Sequence, residues 1–162
     1  MNLESYIAFT SAMTLLILSP GPGLAAFLSR SMASGAASGI LVVLGMIIVD
    51  LFYLGLAIIG LSVIAAYLGP LFQLVKYAAA IYLIWLGYQT IKSARKPLSF
   101  QSGPKPSYIK DIGIGMVVTL GNPKAILFYG ALLPSFFHIS EIQMTDFLIM
   151  CLTITVVTFL VY

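Results

Sequence analysis

Long apolar segments separate the charged residues of this chain. No charged residue lies between Glu4 and Arg30, between Arg30 and Asp50, or between Asp50 and Lys76. A helix needs about 20 apolar residues to cross the hydrocarbon core of a bilayer. This spacing predicts an all-α integral membrane protein, with the lipid bilayer as its surroundings.

The composition of the 162 residues supports this prediction. Apolar residues make up 60% of the chain, charged residues 8%, and the mean hydropathy is +1.07. Soluble domains carry about 25% charged residues, so most of this surface must face lipid. The net charge of +3 is explained by the Lys/Arg bias of cytoplasmic loops, and no nucleic-acid partner is expected.

Several chemical functions are excluded at this stage. One cysteine, Cys151, allows no internal disulfide, and one histidine, His138, leaves no zinc or copper ligand cluster. The chain contains no GxSxG, HExxH or Walker A motif. We therefore expect no cofactor, no metal and no enzymatic activity.

We predict one transmembrane domain, residues 1–162, that crosses the membrane five times. The first apolar segment follows Glu4 with no positive charge before it, so it is a retained span rather than a cleaved signal peptide. Gly69-Pro70 predicts a tight hairpin between the second and third spans, and Asp111 and Asp146 are predicted as caps where later spans begin. The spans lie at about 6–28, 40–67, 71–91, 112–133 and 145–162.

The positive charges predict the orientation. Arg30 follows the first span, and the polar segment of about 92–110 carries Lys92, Arg95, Lys96, Lys105 and Lys110. Lys and Arg accumulate on the cytoplasmic side. We expect the N-terminus outside and the loop of about 92–110 in the cytoplasm.

Two spans contain residues that interrupt helices. Proline removes a backbone donor, glycine relaxes the helix, and the freed groups must face protein or a water-filled cavity. Breaks at corresponding positions of two halves point to a transport site; a proline kink without functional meaning is the alternative. The breaks are Pro20, Gly21, Pro22 and Gly23 in the first span, and Gly121, Asn122, Pro123 and Lys124 in the fourth.

The breaks also predict an internal repeat. Aligning Pro22 with Pro123 places Phe27 on Phe128, and three intervening spans make the halves inverted. Repeat 1 would cover about 1–91 and an incomplete repeat 2 about 111–162. A sixth span is expected beyond Tyr162, so we expect a fragment or a short member of a 3+3 six-helix bundle.

Asp50 and Lys124 are the candidate transport residues near mid-membrane. A charge there costs about 2.5–3.5 kcal/mol on insertion scales, which favours a function for Asp50 in proton coupling or ammonium binding. A structural hydrogen bond between helices is the alternative. Asn122 is predicted to cap a helix whose first residue is Pro123, and Lys124 follows them. The positive N-terminal end of this helix, together with the Lys124 ammonium, suits a carboxylate. The alternatives for Lys124 are a pair with Asp50 or an extended, interface-directed side chain.

Together these residues resemble the lysine exporter family, which includes the homoserine and threonine exporters. The resemblance implies a bacterial inner-membrane amino-acid exporter driven by the proton gradient. Val49 stands where the family usually has glycine. The matching motifs are Pro20-Gly21-Pro22, Arg30-Ser31, Gly35-Xaa-Xaa-Xaa-Gly39, Val49-Asp50-Leu51-Phe52-Tyr53, Tyr82-Leu83-Ile84-Trp85-Leu86-Gly87 and Asn122-Pro123-Lys124-Ala125-Ile126-Leu127-Phe128.

Two other functions stay open from sequence. The cargo could be another small solute or ion, or the chain could be a membrane subunit that transports nothing. Gly35 and Gly39 are expected to allow close helix packing, and a homodimer formed through small-residue faces is a further option.

Overall fold

The computed structural model is helical wherever it describes regular structure, and it describes residues 2–93, 106–137 and 141–162. Between residues 61 and 93 it describes side chains only at Tyr77, Ile81, Ile84, Trp85 and Tyr88. Residues 94–105, most of the predicted cytoplasmic loop, and His138 lie outside the described residues. The helices are α1 (Leu3–Leu18), α2 (Pro22–Ser34), α3 (Ala36–Ser93), α4 (Tyr108–Leu120), α5 (Pro123–Leu127), α6 (Leu133–Phe136) and α7 (Met144–Val161), with a π-helical turn (Phe128–Leu132) between α5 and α6.

Several of these helices can cross a membrane. Ala36–Gly60 within α3 and all of α7 are long and apolar enough to do so alone. The pair α1 and α2, and the pair formed by α4 with Pro123–Phe136, pass the same test as bent spans. Many large apolar side chains are exposed, as lipid-facing helices require. The fold is that of an all-α integral membrane protein.

Both predicted breaks are confirmed. The first predicted span bends by 55° between α1 and α2, and the fourth predicted span bends by 53° between α4 and Pro123–Phe136. Pro22 and Pro123 each occupy the first turn of the helix after the break, where proline loses no hydrogen bond. The helix after the first break begins at Pro22. The likeness of the breaks agrees with the alignment of Pro22 on Pro123, while the complete 3+3 repeat stays a prediction.

The predicted hairpin at Gly69-Pro70 falls on residues 61–76, of which the structure describes nothing beyond their place in α3. The membrane-spanning part of α3 that the structure describes is Ala36–Gly60. The hairpin therefore stays a prediction.

The backbones of α3 and α4 touch where Gly45 and Gly115 face each other. A Cβ atom at Gly45 would overlap the carbonyl group of Ile112, and one at Gly115 would overlap the carbonyl group of Val42. Small residues allow this close packing of membrane helices. The pair fixes α4 along the first half of α3.

Gly39 packs inside the chain in a similar way. A Cβ atom there would overlap the Ser31 hydroxyl and lie 3.0 Å from Phe27, both on α2. The small-residue surface that could have served a dimer is thus used, at Gly39, for contact between α2 and α3.

A buried ion pair joins α2, α3 and α4. Arg30 Nε lies 2.9 Å from Asp111 Oδ1, Arg30 Nη2 lies 2.5 Å from the same oxygen, and Ser38 donates to Asp111 Oδ2 at 2.8 Å. Asp111 has 0% exposure, whereas Arg30 retains 12%. Asp111 also accepts from the Ser107 amide. The predicted caps at Asp111 and Asp146 are wrong, because Ser107 caps α4 and Gln143 caps α7, and each aspartate accepts from the amide of that cap residue from inside the helix.

Aromatic and aliphatic side chains pack α1, α6 and α7 together. Phe9 lies against Phe128, Phe136 and Phe137, with ring centroids 5.5–6.4 Å apart. Tyr6 shares a hydrogen bond of 2.8 Å with Thr153 of α7. These contacts complete a second packing unit beside the one formed by α2, α3 and α4.

Candidate functional site

The two breaks line one cavity with Asp50. Its volume is about 40 Å³, enough for a few water molecules at about 10–15 Å³ each. Of the eight residues predicted for transport, five line it: Gly21, Gly23, Asp50, Asn122 and Lys124. Pro20, Pro22 and Pro123 are not among the lining residues; they shape the backbone beside it.

Lys124 extends from the second break to the first. The Asn122 side chain accepts from the Lys124 amide at 3.1 Å, which confirms the predicted cap, and Pro123 follows as the first helical residue. The Lys124 ammonium donates to both the carbonyl oxygen and the hydroxyl oxygen of Ser19, each at 2.7 Å. Ser19 ends α1, and the C-terminal end of a helix attracts a positive charge.

Gly21 leaves the space that the Lys124 side chain occupies. A Cβ atom at Gly21 would lie 2.9 Å from Lys124 Nζ and 3.5 Å from its Cδ. Real Cβ atoms essentially never come so close to a neighbouring heavy atom, so any side chain at Gly21 would displace the ammonium group. Glycine at this position thus leaves room for the observed position of the Lys124 ammonium.

Asp50 lies on α3 with 9% of its surface exposed. The Tyr129 side chain, in the π-helical turn, interacts with it. Between the two described side chains Asp50 and Lys124 there is no ion pair, because the ammonium of Lys124 binds Ser19 instead. The sequence-based alternative of a direct Asp50–Lys124 pair is therefore wrong in this structure.

Four polar lining residues are not among those predicted for transport: Ser19, Thr119, Thr158 and Tyr162. Thr119 and Thr158 are 4% and 1% exposed. A signal for Thr158 did exist, because it continues the buried stripe of Met150 and Ile154 at four-residue spacing along α7. A polar residue on the buried stripe of a membrane helix is a candidate for function.

Tyr162 closes the cavity on the side of the first break. A Cβ atom at Gly23 would lie 3.1 Å from its hydroxyl, so α7 approaches α2 closely here. The Tyr162 ring also packs on Phe27, with centroids 5.4 Å apart. Tyr162 therefore positions the C-terminal part of α7 against α2.

Comparisons with known proteins place this arrangement in a family. The sequence model of the LysE type translocator matches residues 14–162. That family consists of membrane translocators, which is a second reason, besides the missing enzyme motifs, to expect no enzymatic activity. No solved structure matches the chain.

Individual relatives agree with the family match. A leucine efflux protein of Enterobacter is 32% identical over 148 residues, which is 90% of this chain and 70% of that protein. A homoserine/homoserine lactone efflux protein of Salmonella typhimurium is 30% identical over 161 residues, 99% of this chain and 78% of that protein. An uncharacterized membrane protein of Synechocystis is 29% identical over 153 residues, 94% of this chain and 74% of that protein. With its broken spans and the match over residues 14–162, the chain belongs to the LysE type translocator family.

Proposed function

We propose that this protein exports amino acids across the bacterial inner membrane by proton-coupled secondary transport. The observation that carries the proposal is the cavity between the two breaks, which presents buried Asp50 and buried Lys124 together. Relatives named for the efflux of leucine and of homoserine support this class of cargo.

The charges of the cavity complement those of an amino acid. Lys124 offers a cation to a carboxylate, and Asp50 offers an anion to an ammonium group. Because the two do not neutralise each other directly, each can bind the opposite end of a zwitterion. Charge-assisted hydrogen bonds of this kind are about twice as strong as neutral ones.

Substrate binding would exchange one hydrogen bond for another at Lys124. The ammonium now binds the end of α1 at Ser19. A substrate carboxylate would compete with Ser19 for it and so loosen the contact between the two breaks. The cavity of about 40 Å³ is far below the roughly 300–1,000 Å³ of ligand pockets, so this loosening would also widen it.

Asp50 supplies a physical basis for proton coupling. One carboxylate can hold a proton or pair with an ammonium group, but not both at once. Alternation between these states would move protons and amino acids in opposite directions. The backbone around the cavity that Asp50 lines would be shaped by Pro20, Gly21, Pro22, Gly23, Asn122 and Pro123.

The charge distribution supports an orientation for this transport. Arg30 and the predicted loop of about 92–110 would lie in the cytoplasm, with the N-terminus outside. Export would then run from the side of Arg30 toward the side of the first residues of α1.

The test is efflux from bacteria that lack their own amino-acid exporters and are loaded with dipeptides containing leucine or homoserine. Parent, Asp50→Asn, Lys124→Ala and the control Lys110→Ala are compared at equal membrane levels; Lys110 is exposed and does not line the cavity. We expect efflux from the parent and the control, and losses of about 10-fold or more in the two cavity variants. Absence of amino-acid efflux from the parent would contradict the function, whereas efflux that survives both cavity substitutions would contradict only the site.

A further inference from the structure

Three of the four threonines of α7 lie in its C-terminal half, and their hydroxyl groups differ in hydrogen bonding. Thr153 donates to the Ile149 carbonyl and Thr155 to the Cys151 carbonyl, each at 2.8 Å and four residues back. This back-bond is the usual arrangement for threonine inside a helix. Thr158 departs from it: in the part of the chain that the structure describes, its Oγ1 atom is buried without a hydrogen-bond partner.

The exception cannot be explained by exposure, because Thr158 is only 1% exposed. A buried polar group without a partner costs free energy, and native proteins keep few of them. Such a group needs a reason, and a ligand that completes the hydrogen bond is one of the recognised reasons.

Thr158 lies in the wall of the candidate transport cavity. It lines the same space as Asp50, Lys124 and both breaks. A Cβ atom at Gly23 would lie 3.1 Å from the hydroxyl of Tyr162, at the end of α7, and 3.5 Å from the sulfur of Met46, which is one helical turn before Asp50 on α3. The face of α7 that carries Thr158 and Tyr162 is therefore turned toward the Asp50 side of the cavity.

We propose that Thr158 is a substrate-binding residue, whose hydroxyl accepts a hydrogen bond from the ammonium group that pairs with Asp50. This inference rests on the proposed amino-acid export and adds a third contact to it. An ammonium group has three donors, so Asp50 alone would leave at least one of them without a partner. Thr158 supplies a neutral acceptor for one of those donors.

The ammonium group is common to all α-amino acids. The contact should therefore strengthen binding of different amino acids by a similar factor, rather than select one side chain. A hydroxyl that served a polar side chain would instead distinguish homoserine from leucine.

The experiment measures labelled amino-acid exchange by the purified protein in liposomes, for leucine and for homoserine. Thr158→Val removes the hydroxyl and keeps the branched shape, and Thr158→Ser keeps the hydroxyl. Thr155→Val is the matched control, because it removes a hydroxyl from the same helix outside the cavity. Melting temperatures in detergent are recorded for each variant.

We expect Thr158→Val to raise the KM for both amino acids by about 10-fold or more, the usual effect of losing one hydrogen bond to a charged group. Thr158→Ser and Thr155→Val should stay near the parent. The melting temperature of Thr158→Val should equal or exceed that of the parent, because the substitution removes an unpaired buried hydroxyl.

Other outcomes would overturn the proposal in distinguishable ways. An unchanged KM in Thr158→Val, with an active parent, would reject the role of Thr158 and leave the export function standing. A loss confined to homoserine would reject the ammonium contact. No exchange of amino acids by the parent would reject the export function and this inference with it.

Discussion

The ammonium nitrogen of Lys124 lies 2.7 Å from the carbonyl oxygen of Ser19 and 2.7 Å from its hydroxyl oxygen. Because Ser19 ends α1 and Lys124 lies in the first turn of α5, one side chain joins the two breaks across 105 positions of sequence. Backbone groups freed by a break inside a membrane need such partners. The contact therefore stabilises the interrupted first span and holds a positive charge beside the cavity.

This geometry makes Gly21 sensitive to the smallest side chain. Gly21→Ala should displace the Lys124 ammonium from Ser19, because the new Cβ would lie 2.9 Å from Lys124 Nζ. We expect efflux to fall by about 10-fold, as for the loss of a hydrogen bond to a charged group. Efflux at equal membrane levels measures the effect.

Gly121→Ala is the matched control in the other break, since its Cβ would meet the Val117 carbonyl at an ordinary 3.6 Å. It should export like the parent. Unchanged efflux in Gly21→Ala would mean that the observed position of Lys124 is not required for transport.

The crossing of Gly45 and Gly115 should govern stability. Gly45→Ala or Gly115→Ala places a methyl group against backbone atoms, which cannot turn away as a side chain can. We expect a loss of about 1–3 kcal/mol in unfolding free energy, the usual cost of overpacking. Thermal unfolding in detergent measures it.

Gly113→Ala is the control for this helix, because nothing lies within 4 Å of its Cβ position. Alanine favours a helix over glycine by about 1 kcal/mol, so this variant should be as stable as the parent or more so. Equal stability of the Gly113 and Gly115 variants would contradict the close crossing.

The Arg30–Asp111 pair should show strong coupling. Arg30→Met leaves a fully buried Asp111 without its cation, which we expect to cost about 3–5 kcal/mol of stability. The double variant Arg30→Met/Asp111→Asn removes both charges and should be more stable than Arg30→Met alone. Unfolding in detergent of both single variants and the double variant completes the cycle.

Lys110→Met serves as the control for that cycle, since Lys110 is an exposed neighbour of Asp111. It should change stability by less than about 0.5 kcal/mol. Strictly additive effects of the Arg30 and Asp111 substitutions would show that the pair contributes nothing beyond its separate residues.

Local chemistry made parts of this structure predictable. Proline and glycine act on their own backbone, so both breaks could be located from sequence. The cap of Asn122 on Lys124 spans two residues and was equally accessible. The approach of Asp50 to both breaks followed from depth in the membrane, because helices of similar length bring residues of similar depth to one level.

Long-range partners could not be predicted in the same way. Arg30 and Asp111 are 81 positions apart, and only the rotation of α2 and α4 about their axes brings them together. The contact of Lys124 with Ser19 rather than with Asp50 likewise depends on how the helices are rotated about their axes.

The contact of backbone on backbone at Gly45 and Gly115 should also keep α3 and α4 together while other helices move. Helices that interlock without intervening side chains, and that Arg30 ties to α2, have little freedom to slide. We therefore expect the cavity to open through movement of α1 and α7, which contact each other and contribute lining residues. Distances between spin labels on α3 and α4 should stay constant during exchange. Distances between labels on α7 and α3 should alternately lengthen and shorten as the cavity opens and closes.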